Sequence, residues 1–469
     1  MYIELIATEP VNYAITGITW FNLCSYKTIP LLAATTEADA PVVLASVLLS
    51  LVVIYLASTI GGELCARMNL PPVLGQLLGG LVVGISAFHL LIFPDGGGDS
   101  TNSLMMAFLE TTAGLSLDRA AATFQTDSEV ISILAEIGVV ILLFEIGLES
   151  DLKSLLKVGP QAAIVAVVGV VTPFVSGTLG LMYLFAVPTI PAIFAGAALT
   201  ATSIGITAKV LAELQYLNRQ EGQIIIGAAV LDDVLGIIVL AVVASLAKTG
   251  EVEITNVIYL IFSAVGFLVG AVLLGRLFNP YFVRLVDELK TRGQLLIPAL
   301  IFAFVLSYIA TVIKLEAILG AFTAGLVLAE TQKCKELKNQ VIPIADMLVP
   351  IFFVVVSAKT NIGVLNPANP ENREGLMMAA FLIVVAILGK VASGFAVVSP
   401  ETNRLAIGVG MIPRGEVGLV FAGIGSATGI LSGALDAAII LMVILTTFIA
   451  PPLLSIVFRS PVAAEAEKG

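Results

Sequence analysis

The chain has 469 residues, of which 58% are hydrophobic and only 12% charged, with a mean hydropathy of +1.05. Soluble domains carry about a quarter charged residues, so the composition excludes a soluble enzyme and implies an integral membrane protein. A net charge of −11 argues against nucleic acid as a partner. Cys24, Cys65 and Cys334 show no metal or redox spacing, and His89, the only histidine, cannot build a zinc site.

In chain order, residues 1–42 form an ambiguous N-terminal segment. Asn12, Thr16, Thr19, Asn22 and Ser25 interrupt its apolar stretch, and no basic segment precedes it. A cleaved signal peptide is weakly supported, and a surface-lying segment fits as well. From there to 458, apolar runs of about 20 residues bounded by charge predict thirteen spans. They lie near 43–67, 70–93, 129–149, 158–186, 190–214, 222–247, 254–278, 294–313, 316–330, 341–361, 375–398, 402–430 and 433–458. The loop 94–128 opens with a Gly-rich turn, PDGGGD, and continues as SLMMAFLETTAGLSL, which reads as an interfacial helix. Residues 459–469 are a short tail.

Thirteen spans place the termini on opposite faces. Fifteen lysines and arginines then fall on one face and six on the other, leaving Lys390 and Arg414 inside spans. The positive-inside rule makes the N-terminus external and the C-terminus cytoplasmic.

Within IIIGAAVLDDVLGIIVLAVVASLA, Asp232 and Asp233 stand side by side at membrane depth. One ionised side chain near the centre of a span costs roughly 2.5–3.5 kcal/mol on insertion scales. Two adjacent carboxylates also repel, so at least one must be protonated, bind a cation or pair with a base. Two other spans look broken. LTATSIGIT at 199–207 crowds Thr200, Thr202 and Ser203 around a glycine, and GVGMIPRGEVG at 408–418 puts Pro413 in mid-span. Proline removes a backbone donor and forces a kink or an unwound stretch. Unwound backbone at this depth is tolerated only where it lines a cavity inside the protein.

The two interruptions occupy corresponding positions in two possible five-span repeats, 70–247 and 316–458. An odd span count inverts one repeat relative to the other, and paired broken segments of this kind mark a transporter's binding site. Lys390, in FLIVVAILGKVASGFAVV, either snorkels to an interface or pairs with a buried aspartate. Arg414 and Glu416 are two apart and suit a structural role, bracing the break at Pro413.

The strings LLFEIGLESDL, ATSIGITAKVLAEL, GAAVLDDVLGIIVLAVV, LEAILGAFTAGLVLAE, PIFFVVVSAKTNI and GMIPRGEVGLVFA together resemble the cation:proton antiporter-2 family, in particular its NapA-type bacterial and cyanobacterial sodium/proton antiporters. The resemblance covers about 42–458. It implies an all-α membrane protein of the NhaA-type fold, with inverted repeats, two crossing discontinuous helices, a core domain and a dimerisation domain. Asp233 then becomes the main sodium ligand, with Thr200, Thr202, Ser203 and backbone oxygens completing the shell, and Lys390 pairs with Asp232. Ligand-gated potassium-efflux relatives replace the first aspartate by an amide and add a nucleotide-binding domain, and this sequence shows neither. The expected activity is exchange of Na⁺, and Li⁺, for H⁺ by alternating access in a homodimer, with no cofactor. The membrane would be a bacterial inner membrane or a cyanobacterial plasma or thylakoid membrane. The alternatives are K⁺/H⁺ exchange and sodium-coupled symport of an organic anion.

Overall fold

The computed structural model describes residues 40–94, 97–249, 254–291, 293–360, 372–398, 402–414 and 433–458, with isolated positions between 418 and 431. The described residues form helices joined by short turns, with no strand among them. Eight helices are long and apolar enough to cross a membrane. These are α1 (Ala40–Arg67), α4 (Leu117–Glu149), α5 (Leu152–Leu184), α8 (Gln220–Thr249), α9 (Ile254–Glu288), α12 (Cys334–Ala358), α13 (Asn372–Phe395) and α15 (Gly433–Phe458). Shorter helices lie between them: α2 (Pro72–Val83), α3 (Leu104–Ala113), α6 (Thr189–Ala198), α7 (Ile204–Glu213), α10 (Leu296–Val312), α11 (Ala317–Ala329) and α14 (Arg404–Gly410).

Local chemistry sets the boundaries. Asp151 ends the turn after α4 and caps α5, its carboxylate accepting from the backbone N–H groups of Lys153 and Ser154. Gly114, at φ +64°, closes α3 in the left-handed conformation that glycine adopts without strain. Pro72 opens α2, where its missing N–H costs nothing.

Two departures from the sequence reading matter. The run 70–93 holds only twelve helical residues, because the chain turns away at Gly84, where a Cβ would fall 2.4 Å from the Ala358 carbonyl oxygen. Conversely, α4 begins at Leu117, so residues 117–128 are helical although their polar side chains ended the apolar run. A helix, α3, forms where the sequence reading expects an interfacial one. Its Met105, Met106 and Leu109 pack with Ile92 and Phe124 into a small separate cluster.

The helices pack in two groups. In one, α5 lies against α8 and α13, and α13 against α15, with α6, α7 and α14 threaded among them. In the other, α4 lies between α11 and α12, α2 packs on α1 and α12, and α9 and α10 cover α11. Close approach depends on glycine. A Cβ on Gly147 of α4 would sit 2.3 Å from the Phe322 carbonyl of α11, and one on Gly325 of α11 would sit 2.2 Å from the Phe144 carbonyl of α4. Small residues let membrane helices gain dispersion contact where lipid provides little hydrophobic drive.

Candidate ion-binding site

Both interrupted segments are broken where helix-breaking chemistry accumulates. The first stops at Ala198 and restarts at Ile204. The second stops at Gly410 and runs non-helical through Met411–Arg414. Glu416 and most positions between it and 428 lie outside the described residues, so the Arg414–Glu416 pair has no structural counterpart to report.

The breaks satisfy each other's orphaned backbone groups. Ser203 donates its N–H to the Pro413 carbonyl at 2.8 Å. The Thr202 hydroxyl donates to the Met411 carbonyl at 3.2 Å, and the Thr207 hydroxyl to the Gly410 carbonyl at 2.9 Å. In the opposite sense, Nη1 of Arg414 donates to the carbonyls of Thr200 at 3.0 Å and Ala201 at 2.5 Å. Thr447 of α15 closes the set by donating to the Arg414 carbonyl at 2.6 Å. Arg414 is fully buried at the C-terminal end of α6, where a cation complements the helix dipole and the last carbonyls lack intrahelical partners. Thr200 turns its own hydroxyl back to the Ala197 carbonyl at 2.7 Å.

Beside this crossing runs α8. Gly236 lies one turn past Asp233 on the same face, and a Cβ there would touch the Ala201 side chain at 3.5 Å, so this face of α8 meets the first break. Asp232 points toward α13. Lys390 Nζ donates to Asp232 Oδ1 at 3.1 Å and Oδ2 at 3.2 Å, with both side chains fully buried. Gly169 of α5 lines the Lys390 side chain, a Cβ there coming within ordinary contact of Nζ at 3.4 Å, and Gly389 lets α13 close onto Pro173. Asp233 is 6% exposed and makes no hydrogen bond or ion pair with any described side chain, while Glu316, at the start of α11, lies within Coulombic reach of it.

Of the residues singled out from sequence, Asp232 and Lys390 are joined to each other, and Thr202, Ser203, Pro413 and Arg414 take part in the contacts across the two breaks. Thr200 takes part through its carbonyl, and Asp233 adjoins the first break through its helix face. The sequence reading passed over Thr207, Thr447, Gly169 and Gly389. The glycines carried a signal, lying next to Lys390 or along a proline-containing helix, but glycine is too common here to single them out.

A sequence model of the family described as sodium/hydrogen exchanger, transmembrane, matches residues 38–460. The chain belongs to this family. It is 64% identical over 441 residues to the high-affinity Na⁺/H⁺ antiporter NhaS3 of Synechocystis, covering 93% of this chain and 96% of that one. The Na⁺/H⁺-K⁺ antiporter GerN of Bacillus cereus is 31% identical over 410 residues, with 86% and 94% covered. Among solved structures, the sodium proton antiporter MjNhaP1 of Methanocaldococcus jannaschii shares the fold at a TM-score of 0.60. The identity there is 16%, over 89% of this chain and 98% of that one. The chain is thus a multi-pass membrane protein of the monovalent cation/proton exchangers.

Proposed function

We propose that this chain exchanges Na⁺ for H⁺ by alternating access, using the Asp232–Asp233 pair as the shared site. The observation that carries the reading is the asymmetry of the two carboxylates. Asp232 is hydrogen-bonded to Lys390, whereas Asp233 makes no hydrogen-bonded ion pair with any described side chain and adjoins the break at 199–203. Sodium is a hard cation that takes oxygen ligands, which a carboxylate, hydroxyls and freed carbonyls supply. Asp233 serves as the main ligand, with Thr202, Ser203 and Thr200 contributing oxygens.

A proton and a sodium ion compete for the same carboxylate, so the site rarely crosses the membrane empty and charged. Lys390 can surrender a proton when sodium displaces it from Asp232, giving two protons per sodium. If it stays charged throughout, exchange is one for one. No cofactor enters the scheme. The transported ions are its only ligands.

The packing supports a finer picture. The pairing of α5 with α8 repeats in α13 with α15, and that of α4 with α11 repeats in α12 with α2. This pattern suits inverted repeats over 70–247 and 316–458 within thirteen spans. In that picture the α5–α8–α13–α15 group is the core that rocks against the second group, which forms the homodimer contact. The N-terminus is external, the C-terminus cytoplasmic, and the membrane a bacterial inner, cyanobacterial plasma or thylakoid membrane.

Potassium as a second substrate draws support from the relative GerN, whose name includes it. The deciding experiment measures ΔpH dequenching in inverted vesicles given Na⁺, Li⁺ and K⁺ in turn. Sodium-driven dequenching that disappears in Asp233→Asn supports the reading, and wild-type exchange in that variant overturns it.

A further inference from the structure

The additional helical turns at the start of α4 carry polar residues into the protein interior. Thr123 is 0% exposed, and Asp127 and Ser128 are each 4% exposed. Asp127 meets α1, whose Ser46 and Ser50 are both 0% exposed and lie one turn apart on one helix face. Ser50 donates its hydroxyl to Asp127 Oδ2 at 2.9 Å and touches the Met105 sulfur at 3.4 Å, and the Ser46 hydroxyl faces the same carboxyl. Thr123 stands one turn before Asp127, as Ser46 stands one turn before Ser50.

This cluster is incomplete as it stands. Asp127 Oδ1 and the hydroxyl oxygens of Thr123 and Ser128 are buried without a hydrogen-bond partner. No lysine or arginine pairs with Asp127 among the described residues. Above it, the apolar face of α3 with Ile92 and Phe124 shuts out solvent. Orphaned polar groups in a native interior ask for an occupant, because each has given up water for nothing.

We propose that this pocket is a second cation site, holding one dehydrated Na⁺ or Li⁺ between α1 and α4, separate from the Asp232–Asp233 site. The donors are all oxygen, which suits a hard cation. One carboxylate among neutral hydroxyls matches a single positive charge, whereas a divalent ion calls for more carboxylates and a soft metal for nitrogen or sulfur. The elements involved, α1, α3 and α4, carry none of the residues assigned to transport. The ion therefore acts as a clasp between two helices rather than as cargo.

The test uses the full chain in detergent, in an Asp233→Asn background that removes the main transport ligand and leaves the buried Asp232–Lys390 pair intact. Thermal unfolding is followed as NaCl, LiCl or choline chloride is titrated at constant ionic strength. The site predicts a saturable rise in melting temperature with Na⁺ and Li⁺ but not choline, lost on adding Asp127→Asn. Ser50→Ala combined with Thr123→Val, which keeps the carboxylate and the helix, should raise the half-saturating Na⁺ concentration at least tenfold. A background protein indifferent to Na⁺ overturns the proposal, as does a Na⁺ response unchanged by the hydroxyl or carboxylate substitutions. The second outcome holds even if only the hydroxyl variant folds.

Discussion

Lys390 and Asp232 lie 158 residues apart in sequence and 3.1 Å apart in space, with neither side chain reaching solvent. Removing one partner leaves a lone buried charge. Lys390→Ala or Asp232→Ala should each cost about 3–5 kcal/mol of stability, as breaking a buried pair does. Asp232→Leu with Lys390→Met should recover most of that loss while changing charge movement per cycle. Thermal unfolding of the double-mutant cycle checks the first claim, and transport at an imposed membrane potential in proteoliposomes checks the second. Additive single losses would show that the pair is not coupled.

The proposed competition at Asp233 fixes the expected sign of the pH dependence. As pH falls, protons occupy the carboxylate and the apparent KM for Na⁺ must rise. The increase approaches about tenfold per pH unit once the protonated form dominates, by mass action. The maximal rate at saturating Na⁺ should move far less. Initial rates over a grid of pH and Na⁺ concentration separate this from a pH switch elsewhere, which would change the maximal rate at constant KM.

Arg414 answers two carbonyls of the opposite break through one nitrogen, Nη1. Arg414→Ala strands both, and Arg414→Lys replaces the planar fork with a single ammonium that fits them poorly. Each lost charged hydrogen bond is worth about 1.5–3 kcal/mol, so alanine should be the worse of the two. Melting of the purified variants reads this directly. An unchanged melting temperature in Arg414→Ala would show that the arginine does not brace the crossing.

Gly147 and Gly325 permit backbone contact between α4 and α11. Valine at either position forces the helices apart and should cost about 1–3 kcal/mol or more through overpacking. By contrast, Arg67→Ala removes an exposed pair with Glu63 at 2.8 Å and should cost under about 0.5 kcal/mol. The ranking of these variants in one thermal series checks both.

The class of protein was legible in the sequence, and candidate site residues could be named there, because each rests on a local rule. Apolar runs such as Ile224–Ala247 must be long enough to span lipid, Pro413 must break a helix, and adjacent aspartates at that depth must be functional. Distance in the chain hid the rest. A period of apolar residues cannot say that Gly169 lies against Lys390, or that Arg414 serves the carbonyls at 200 and 201. Those depend on which helices cross, and at what height.

The start of α4 shows the limit most clearly. Thr123, Asp127 and Ser128 look like the polar edge of a loop, since burial of polar groups is costly without partners. Asp127 finds its partner in Ser50, which an apolar count of α1 passes over. Sequence alone thus determined that this chain crosses a membrane, where it breaks and which carboxylates lie within apolar runs, because insertion energetics act on each segment separately. Only the tertiary structure decided which carboxylate takes the lysine, how two broken helices satisfy each other, and that a further aspartate lies buried among hydroxyls. Those outcomes depend on which residues from distant segments meet in a water-poor interior.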